Sequence, residues 1–465
     1  MSSTARPRRT EVVPPTRLPD RRDVATLFAT LLFGLAMISF RPFSPAAAEA
    51  SGGDIVNQLG FGAVGAASLF CLLAFVDRRV LGRLIGFWWA LLLGLFLLSV
   101  AHAADPATAL RTAIFTLIGL LTMLAVLATP RDADSLSTVL AVAGLAVVGL
   151  CYAGLVLYPE IARHTADSLE PEHAGLWRGA FSHKNVAGPV MAGLSFAGLY
   201  LWRRGWRRSG GVLLAAALFF LAHTGSKTTT GLVPLAVLLV LGPSLLGLRR
   251  AVPLVFAGAL AVAAVSTIGI VLSPPLWDLS QQVSPGLTYT GRTTLWSFLI
   301  EMIGNKPWLG YGYESFWGTP VVQLQERPFD SDWDIRGIVH GHNGYLDIAV
   351  LMGLPTLAVA VVAFLVVPMI DFLRVPGHRE NVLLADFFMM MLMFTAFNAF
   401  LESFFFRRVD PVWLFFLLAV FGLRYVARFT IPRSVAPERR QGETPAPFGW
   451  TRPPDSAPAG VPGNH

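Results

Sequence analysis

Residues 110–158 read LRTAIFTLIGLLTMLAVLATPRDADSLSTVLAVAGLAVVGLCYAGLVLY. Two apolar runs, 110–128 and 136–158, flank a short polar break that holds Arg131, Asp132 and Asp134. Each run has the length, about 20 residues, that a helix needs to cross the hydrocarbon core of a bilayer. Both are too long, and alternate too weakly, for strands of an outer-membrane barrel. The pair predicts two spanning helices joined by a tight turn.

Runs of the same kind recur along the chain, near 24–40, 56–76, 84–101, 186–202, 211–223, 231–248, 252–273, 346–370, 382–400 and 411–427, which makes about twelve in all. The composition agrees: 54% of residues are hydrophobic and 14% charged, against roughly 25% charged in soluble domains. The fold class is an all-α polytopic membrane protein with about 12 transmembrane helices. A first domain map follows: a disordered Arg- and Pro-rich tail at 1–23, helices one to nine at 24–273, one long polar loop at 274–345, helices ten to twelve at 346–428, and a Pro-rich tail at 429–465.

The net charge of +7 invites a nucleic-acid partner, but the distribution argues for none. Arg78, Arg79 and Arg83, then Arg203, Arg204, Arg207 and Arg208, then Arg249 and Arg250 fall at every second loop. Placing those loops and both tails in the cytoplasm puts 24 of the 36 Lys and Arg there, as the positive-inside bias requires. The first run is followed by Ala46-Ala47-Ala48-Glu49-Ala50, like a cleavable signal peptide, but its 17 residues favour a retained anchor. Cys71 and Cys151 lie inside apolar runs and read as small packing residues.

Three segments face the opposite side: the long loop 274–345, a second at 159–185, and the short Thr224–Thr230. All three lysines, Lys184, Lys227 and Lys306, lie there against the charge bias. Lys306 reads as a solvated loop charge. Lys184, within RGAFSHKN (178–185), and Lys227, within TGSKT (224–228), sit hard against membrane runs beside other polar groups. The latter is an incomplete phosphate loop that lacks the glycine five residues before the lysine. In the long loop, Gly310-Tyr311-Gly312 is weak evidence for nucleotide binding, and it echoes a potassium filter without a four-fold pore. Trp308, Tyr311, Tyr313, Phe316, Trp317 and Trp333 form either an interfacial aromatic belt or a platform for sugar rings. Asp330, Asp332 and Asp334 alternate but read as solvated charges before Ca²⁺ ligands. No spacing points to a metal, and no cofactor is expected.

HGHNGY (340–345) immediately precedes the tenth run. Asn343 suits an N-cap, with Asp347 favourable in the first turn. A histidine just before a helix N-terminus feels positive potential, which favours a neutral imidazole able to act as a general base. The same helix end and Arg292 can receive an anion. Glu402, just past the eleventh run, is either an orienting partner for a basic group or a headgroup-level charge.

With these residues in view, the chain resembles the O-antigen ligase and exopolysaccharide-polymerase superfamily of bacterial membrane proteins, most closely its exopolysaccharide-production (ExoQ-like) branch. The matching pieces are RGAFSHKNVAG (178–188), GSKT (225–228), YTGRTTLW to NKPWLGYGYESFW (289–317) and HGHNGYLDIAVLMGL (340–354), in that order, within about 60–425. The family's His-Asn pair is followed nine residues later by Gly-x-x-Gly; here Gly353-Leu354-Pro355-Thr356 replaces the second glycine by threonine. Ser226-Lys227-Thr228 stands where members often have Ser-Arg-Thr, which keeps the charge and loses bidentate contact.

The resemblance implies a metal-independent glycosyltransferase of the bacterial inner (cytoplasmic) membrane that takes glycan from an undecaprenyl-diphosphate carrier at the periplasmic face. His342 and Arg292 are the expected catalytic residues. Lys227, Arg178, Lys184, Asn185, Asn343, Tyr345, His340 and Tyr311 are the expected substrate-binding set. Expected partners are the lipid-linked oligosaccharide, membrane lipid, and polysaccharide-assembly proteins such as a flippase and a chain-length regulator. Polymerisation of oligosaccharide repeats into exopolysaccharide is the leading reading. Ligation of finished glycan to lipid A-core or another acceptor shares its donor and chemistry. A secondary transporter or a non-catalytic scaffold are readings of another class. The position of the long loop and the lack of repeated halves argue against transport.

Overall fold

The structure is a computed structural model that describes residues 11–12, 22–43, 54–166, 171–286, 288, 289, 291–324 and 334–434. The signal-like Ala46–Ala50, Asp330, Asp332, Trp333 and most of both tails lie outside the described residues. The remainder is almost wholly helical. The helices are α1 Arg22–Met37, α2 Ile55–Phe75, α3 Arg78–Leu84, α4 Phe87–Ala101, α5 Pro106–Ala128, α6 Ala133–Leu157, α7 Lys184–Arg204, α8 Arg207–His223 and α9 Lys227–Leu245. They continue with α10 Arg249–Leu272, α11 Pro274–Val283, α12 Arg292–Asn305, α13 Gly344–Met352, α14 Leu354–Leu373, α15 Arg379–Asn398 and α16 Pro411–Arg428. A two-residue parallel pairing, Glu11–Val12 with Phe429–Thr430, joins the described parts of the two tails.

The helix starts are written in short polar signals. Asp54, Asp105, Asp132 and Asp410 cap α2, α5, α6 and α16, each accepting from backbone amides of the first turn. Such caps satisfy amides that lipid cannot. Pro106 and Pro411 then occupy the first helical turn, where no amide partner is missed.

Every apolar run falls on these helices, two of the runs divided between a pair, yet among the described residues eight helices are long and apolar enough to cross a membrane, or nine if the bent pair α3–α4 counts as one span. The difference from twelve has physical causes. Helix α1 has 16 residues and α8 has 17. Helix α7 carries Lys184, Arg203 and Arg204 at its ends. The third run bends by 75° between α3 and α4. The tenth run is not one helix: α13 ends at Met352 and α14 starts at Leu354, with Gly353 at φ +85° between them. The segment 274–345 is not all loop either, since it contains α11 and α12.

Helix α15 is the centre: 94% of its apolar window is buried by protein, against 83% for α16 and 22% for the peripheral α9 and α10. Met389, Met390, Met391 and Met393 on α15 are fully enclosed, and such unbranched side chains fill irregular space between helices. Helices α7 and α8 pack closest. A Cβ on Gly198 would stand 2.6 Å from the Leu214 nitrogen, and one on Gly210 would stand 2.5 Å from the Trp202 nitrogen. Cys71 and Cys151 are buried and unbridged.

The end of the bundle that holds the Glu11–Val12 and Phe429–Thr430 pairing is laced by ion pairs. Arg22 meets Asp132, Arg204 meets Asp134 and Glu380, and Arg203 and Arg249 share the buried Asp386. The opposite end gathers the polar loops.

Candidate functional site

Glu402, in the turn after α15, is the point where that opposite end converges. Its Oε1 accepts from Arg292 Nη2 at 2.9 Å and from Asn185 Nδ2 at 3.3 Å. Its Oε2 lies 3.2 Å from His342 Nδ1. One carboxylate therefore joins the starts of α7 and α12 to the loop before α13, across 217 and 60 residues of chain. All four side chains are partly buried.

The loop that presents His342 is fixed from both sides. Trp296 Nε1 donates to the Gly341 carbonyl at 3.1 Å, and the Gly341 amide donates to both oxygens of Asp347. Trp317 Nε1 donates to the same Asp347 at 2.9 Å. Asn343 is the N-cap of α13: its Oδ1 accepts from the amides of Tyr345 and Leu346, while its own amide donates to Ser403 Oγ. Between these anchors His342 takes φ +47°. A non-glycine residue held in the left-handed region costs of order 1–3 kcal/mol and persists where its surroundings over-determine it.

The hydrogen-bond roles follow from chemistry. A guanidinium only donates and a carboxylate only accepts. Arg292 Nη2 is 3.4 Å from His342 Nδ1 but has its shorter contact with Glu402. The consistent tautomer has His342 Nδ1–H donating to Glu402, which leaves the lone pair on Nε2 for an incoming proton. Among the described residues, Arg292 also keeps a buried Nε with no hydrogen-bond partner, and a buried unmatched donor is costly.

His340 packs against His342, ring centroids 4.2 Å apart, and its Nδ1 accepts the His342 amide at 3.3 Å. Burial pushes its pKa well below the ordinary histidine value, and neighbouring His342, Arg407 and Arg292 add to that shift. The surroundings thus favour the neutral form of His340.

The other expected residues are distributed unevenly. Lys184 and Asn185 open α7, Asn185 reaching Glu402 directly. Arg178 donates from Nε to the Ile161 carbonyl at 2.5 Å and from Nη1 to the Ser182 carbonyl at 2.8 Å, so it braces its own loop. Lys227 is exposed at the first residue of α9. Three further residues of the expected set make their contacts within the protein. Tyr345 is 6% exposed, its ring against Phe400 and its hydroxyl donating to the Ala396 carbonyl, so it supports α13 from the core. Tyr311 sits in a separate apolar cluster, with its hydroxyl toward Met302 and Lys306 over its ring at 4.5 Å. Asn343 likewise spends its side chain on capping. Thr356, in place of the family's second glycine, donates to the Met352 carbonyl across the α13–α14 break.

Sequence spacing points to no metal, whereas among the described residues the structure brings together two trios of side chains able to ligate one: His164, His173 and His183, and His340, His342 and Glu402. Neither has a spacing that a sequence scan can recognise: the first trio has wider gaps than the short metal-ligand motifs, and the second reaches across 60 residues to Glu402. Asp347 as anchor of the histidine loop was also missed; it was read only as a first-turn charge. Asp334 pairs with Arg336, two residues on, as a surface ion pair.

Residues 212–361 match a family model described as O-Antigen ligase. The matched segment contains Lys227, Arg292, Tyr311, His340, His342, Asn343 and Tyr345, and ends before Glu402. No curated protein matches the chain.

Proposed function

We propose that this multi-pass membrane protein, which carries a domain of the O-antigen ligase-related superfamily, polymerises undecaprenyl-diphosphate-linked oligosaccharide repeats into an exopolysaccharide. The reaction takes place at the outer face of the bacterial inner membrane, with both termini cytoplasmic. The observation that carries the reading is the shared carboxylate: Glu402 holds His342 at 3.2 Å and Arg292 at 2.9 Å on one partly buried surface. That arrangement is a base with an orienting acid, next to a cation with a donor to spare.

In the proposed step, His342 Nε2 takes the proton of an acceptor hydroxyl. The acceptor oxygen forms a bond to the anomeric carbon, and the bond from that carbon to the diphosphate oxygen breaks, with inversion. Undecaprenyl diphosphate leaves. Arg292 stabilises its charge, with Lys227 and Lys184 as further cations on the same face. Removing one such donor commonly costs about 2.7–4 kcal/mol of transition-state stabilisation. The donor arrives already activated, so no nucleotide is needed on that side.

The family description favours a second reading, ligation of a finished glycan to an acceptor, because the same chemistry serves both. The test is the glycan on undecaprenyl diphosphate in a deletion strain complemented with wild type or His342→Ala at matched protein level. Single repeats accumulating while long polymer is lost means polymerase. Long polymer retained on the carrier means ligase. His342→Ala should lower transfer by about 10²–10⁴-fold; wild-type polymer yield from that variant rules out the base assignment.

A further inference from the structure

We propose that His164, His173 and His183 form a binding site for a divalent transition-metal ion of the zinc or copper class, next to the transferase site and distinct from it. The three rings come from different places: the residue that follows the bridge at Arg163, the turn Pro171–His173, and the N-cap of α7. Their centroids lie 4.7 Å apart for His164 and His183, and 5.6 Å from each of these to His173. One nitrogen of each ring lies within 4.8 Å of the others. Three imidazoles suit zinc, copper or nickel and are poor ligands for calcium or magnesium.

The scaffold is already in place. The His164 amide donates to the Leu176 carbonyl at 2.9 Å and the Gly175 amide returns to the His164 carbonyl at 2.8 Å. Arg163 and Trp177 form an antiparallel bridge, and Arg178 ties Ile161 to Ser182. His164 is 8% exposed, while His173 and His183 are half-buried. The other trio is a weaker candidate: Glu402 is already engaged by Arg292 at 2.9 Å, and a cation there would meet that guanidinium.

Metal binding has a definite structural consequence. A neutral imidazole has one lone pair. His164 Nε2 accepts the Lys184 amide at 3.2 Å, and His183 Nδ1 accepts the Asn185 amide at 3.1 Å. A metal that takes either ring, at either nitrogen, removes that lone pair from the amide. Occupancy therefore releases the first amides of α7, the turn whose Asn185 side chain holds Glu402. The site is built to tie metal content to the position of Lys184 and Asn185.

The test uses the full-length chain in detergent, stripped with chelator. Zn²⁺ content is counted by mass spectrometry of the metal, Co²⁺ is the visible-absorption probe, and hydrogen exchange is followed in the peptide spanning Lys184 and Asn185. One ion per chain is expected, with ligand-field bands for Co²⁺ that Zn²⁺ abolishes and faster exchange at the start of α7. His173→Ala should weaken binding by more than about tenfold, since even outer-shell changes cost that much. His173→Asn serves if the alanine variant does not elute as the native chain does. Glu402→Gln should bind as wild type. No uptake above the stripped baseline, equal affinity in both His173 variants, loss in Glu402→Gln alone, or unchanged exchange at α7 when Zn²⁺ binds would each overturn the proposal.

Discussion

His342 and Arg292 stand out in the sequence as candidate site residues because a polar side chain hard against a membrane run needs a reason, and few bland reasons fit a histidine beside a helix start. Glu402, just past the eleventh run, reads from the sequence as either an orienting partner for a basic group or a headgroup-level charge; the structure brings Arg292, Asn185 and His342 onto its two oxygens. Its charge can be tested apart from its shape. Glu402→Gln should lower turnover by about 100-fold, because an amide can present a donor to His342 Nδ1 and favour the wrong tautomer. Turnover within a factor of two of wild type, on a lipid-linked glycan, would remove Glu402 from the mechanism. His340 gives a pH prediction. Its folded pKa is depressed by burial, so between that value and the ordinary one near 6.5 the unfolded chain binds the extra proton. Stability then rises with pH through that window and is lost as pH falls below the ordinary value. Melting temperatures of wild type and His340→Gln, measured over about pH 5 to 8, should show a shallower acid slope in the variant. Parallel curves would mean that His340 is as easily protonated folded as unfolded.

At the scale of elements, the decisive feature is the break between α13 and α14. The apolar pattern of 346–370 continues through it, so periodicity alone predicts one helix. The break is made by contact: the Leu354 amide donates to the Pro307 carbonyl at 2.8 Å, and the Tyr311 and Gly312 amides donate to the carbonyls of Val350 and Leu351. Gly353 takes φ +85°, and a Cβ there would run into the Trp308 carbonyl oxygen. This leaves α13 as a nine-residue helix that points its capped start, and with it the loop of His342, at Glu402. Gly353→Ala should destabilise the protein by about 1–3 kcal/mol from backbone strain alone, and more if the 307–312 segment is displaced. Detergent melting temperature reads the loss. A variant that melts with wild type would show that the break does not depend on this glycine. Motifs that looked functional divide at the same scale. Asn343 and Tyr345 serve α13, and Arg178 serves its loop, because a short helix set in a membrane protein needs every terminal amide and carbonyl satisfied.

Across the whole molecule, the arginine clusters have two roles. They set the expected orientation, and at the end of the bundle bearing the Glu11–Val12 and Phe429–Thr430 pairing they tie α7, α10 and α15 through Asp386 and Glu380. The orientation is testable by cysteine labelling, since Cys71 and Cys151 are buried. In spheroplasts, an impermeant maleimide should label Lys306→Cys and Gly337→Cys, and should reach Arg250→Cys only after permeabilisation; all three positions are exposed. Early labelling at Arg250→Cys, or none at the other two, would invert the assignment. What the sequence determined by itself is what depends on composition and near neighbours. Lipid demands long apolar helices, charge bias orients them, and aspartate or asparagine before an apolar run caps a helix. These are local requirements, and they can be read residue by residue. The tertiary structure decided which runs break, which motif residues turn to the core, and which distant polar groups meet. Glu402 with Arg292, His342 and Asn185, and the three rings of His164, His173 and His183, are such meetings. Contacts between side chains on different helices and loops, near or far along the chain, are fixed by how those elements pack, and no local pattern encodes them.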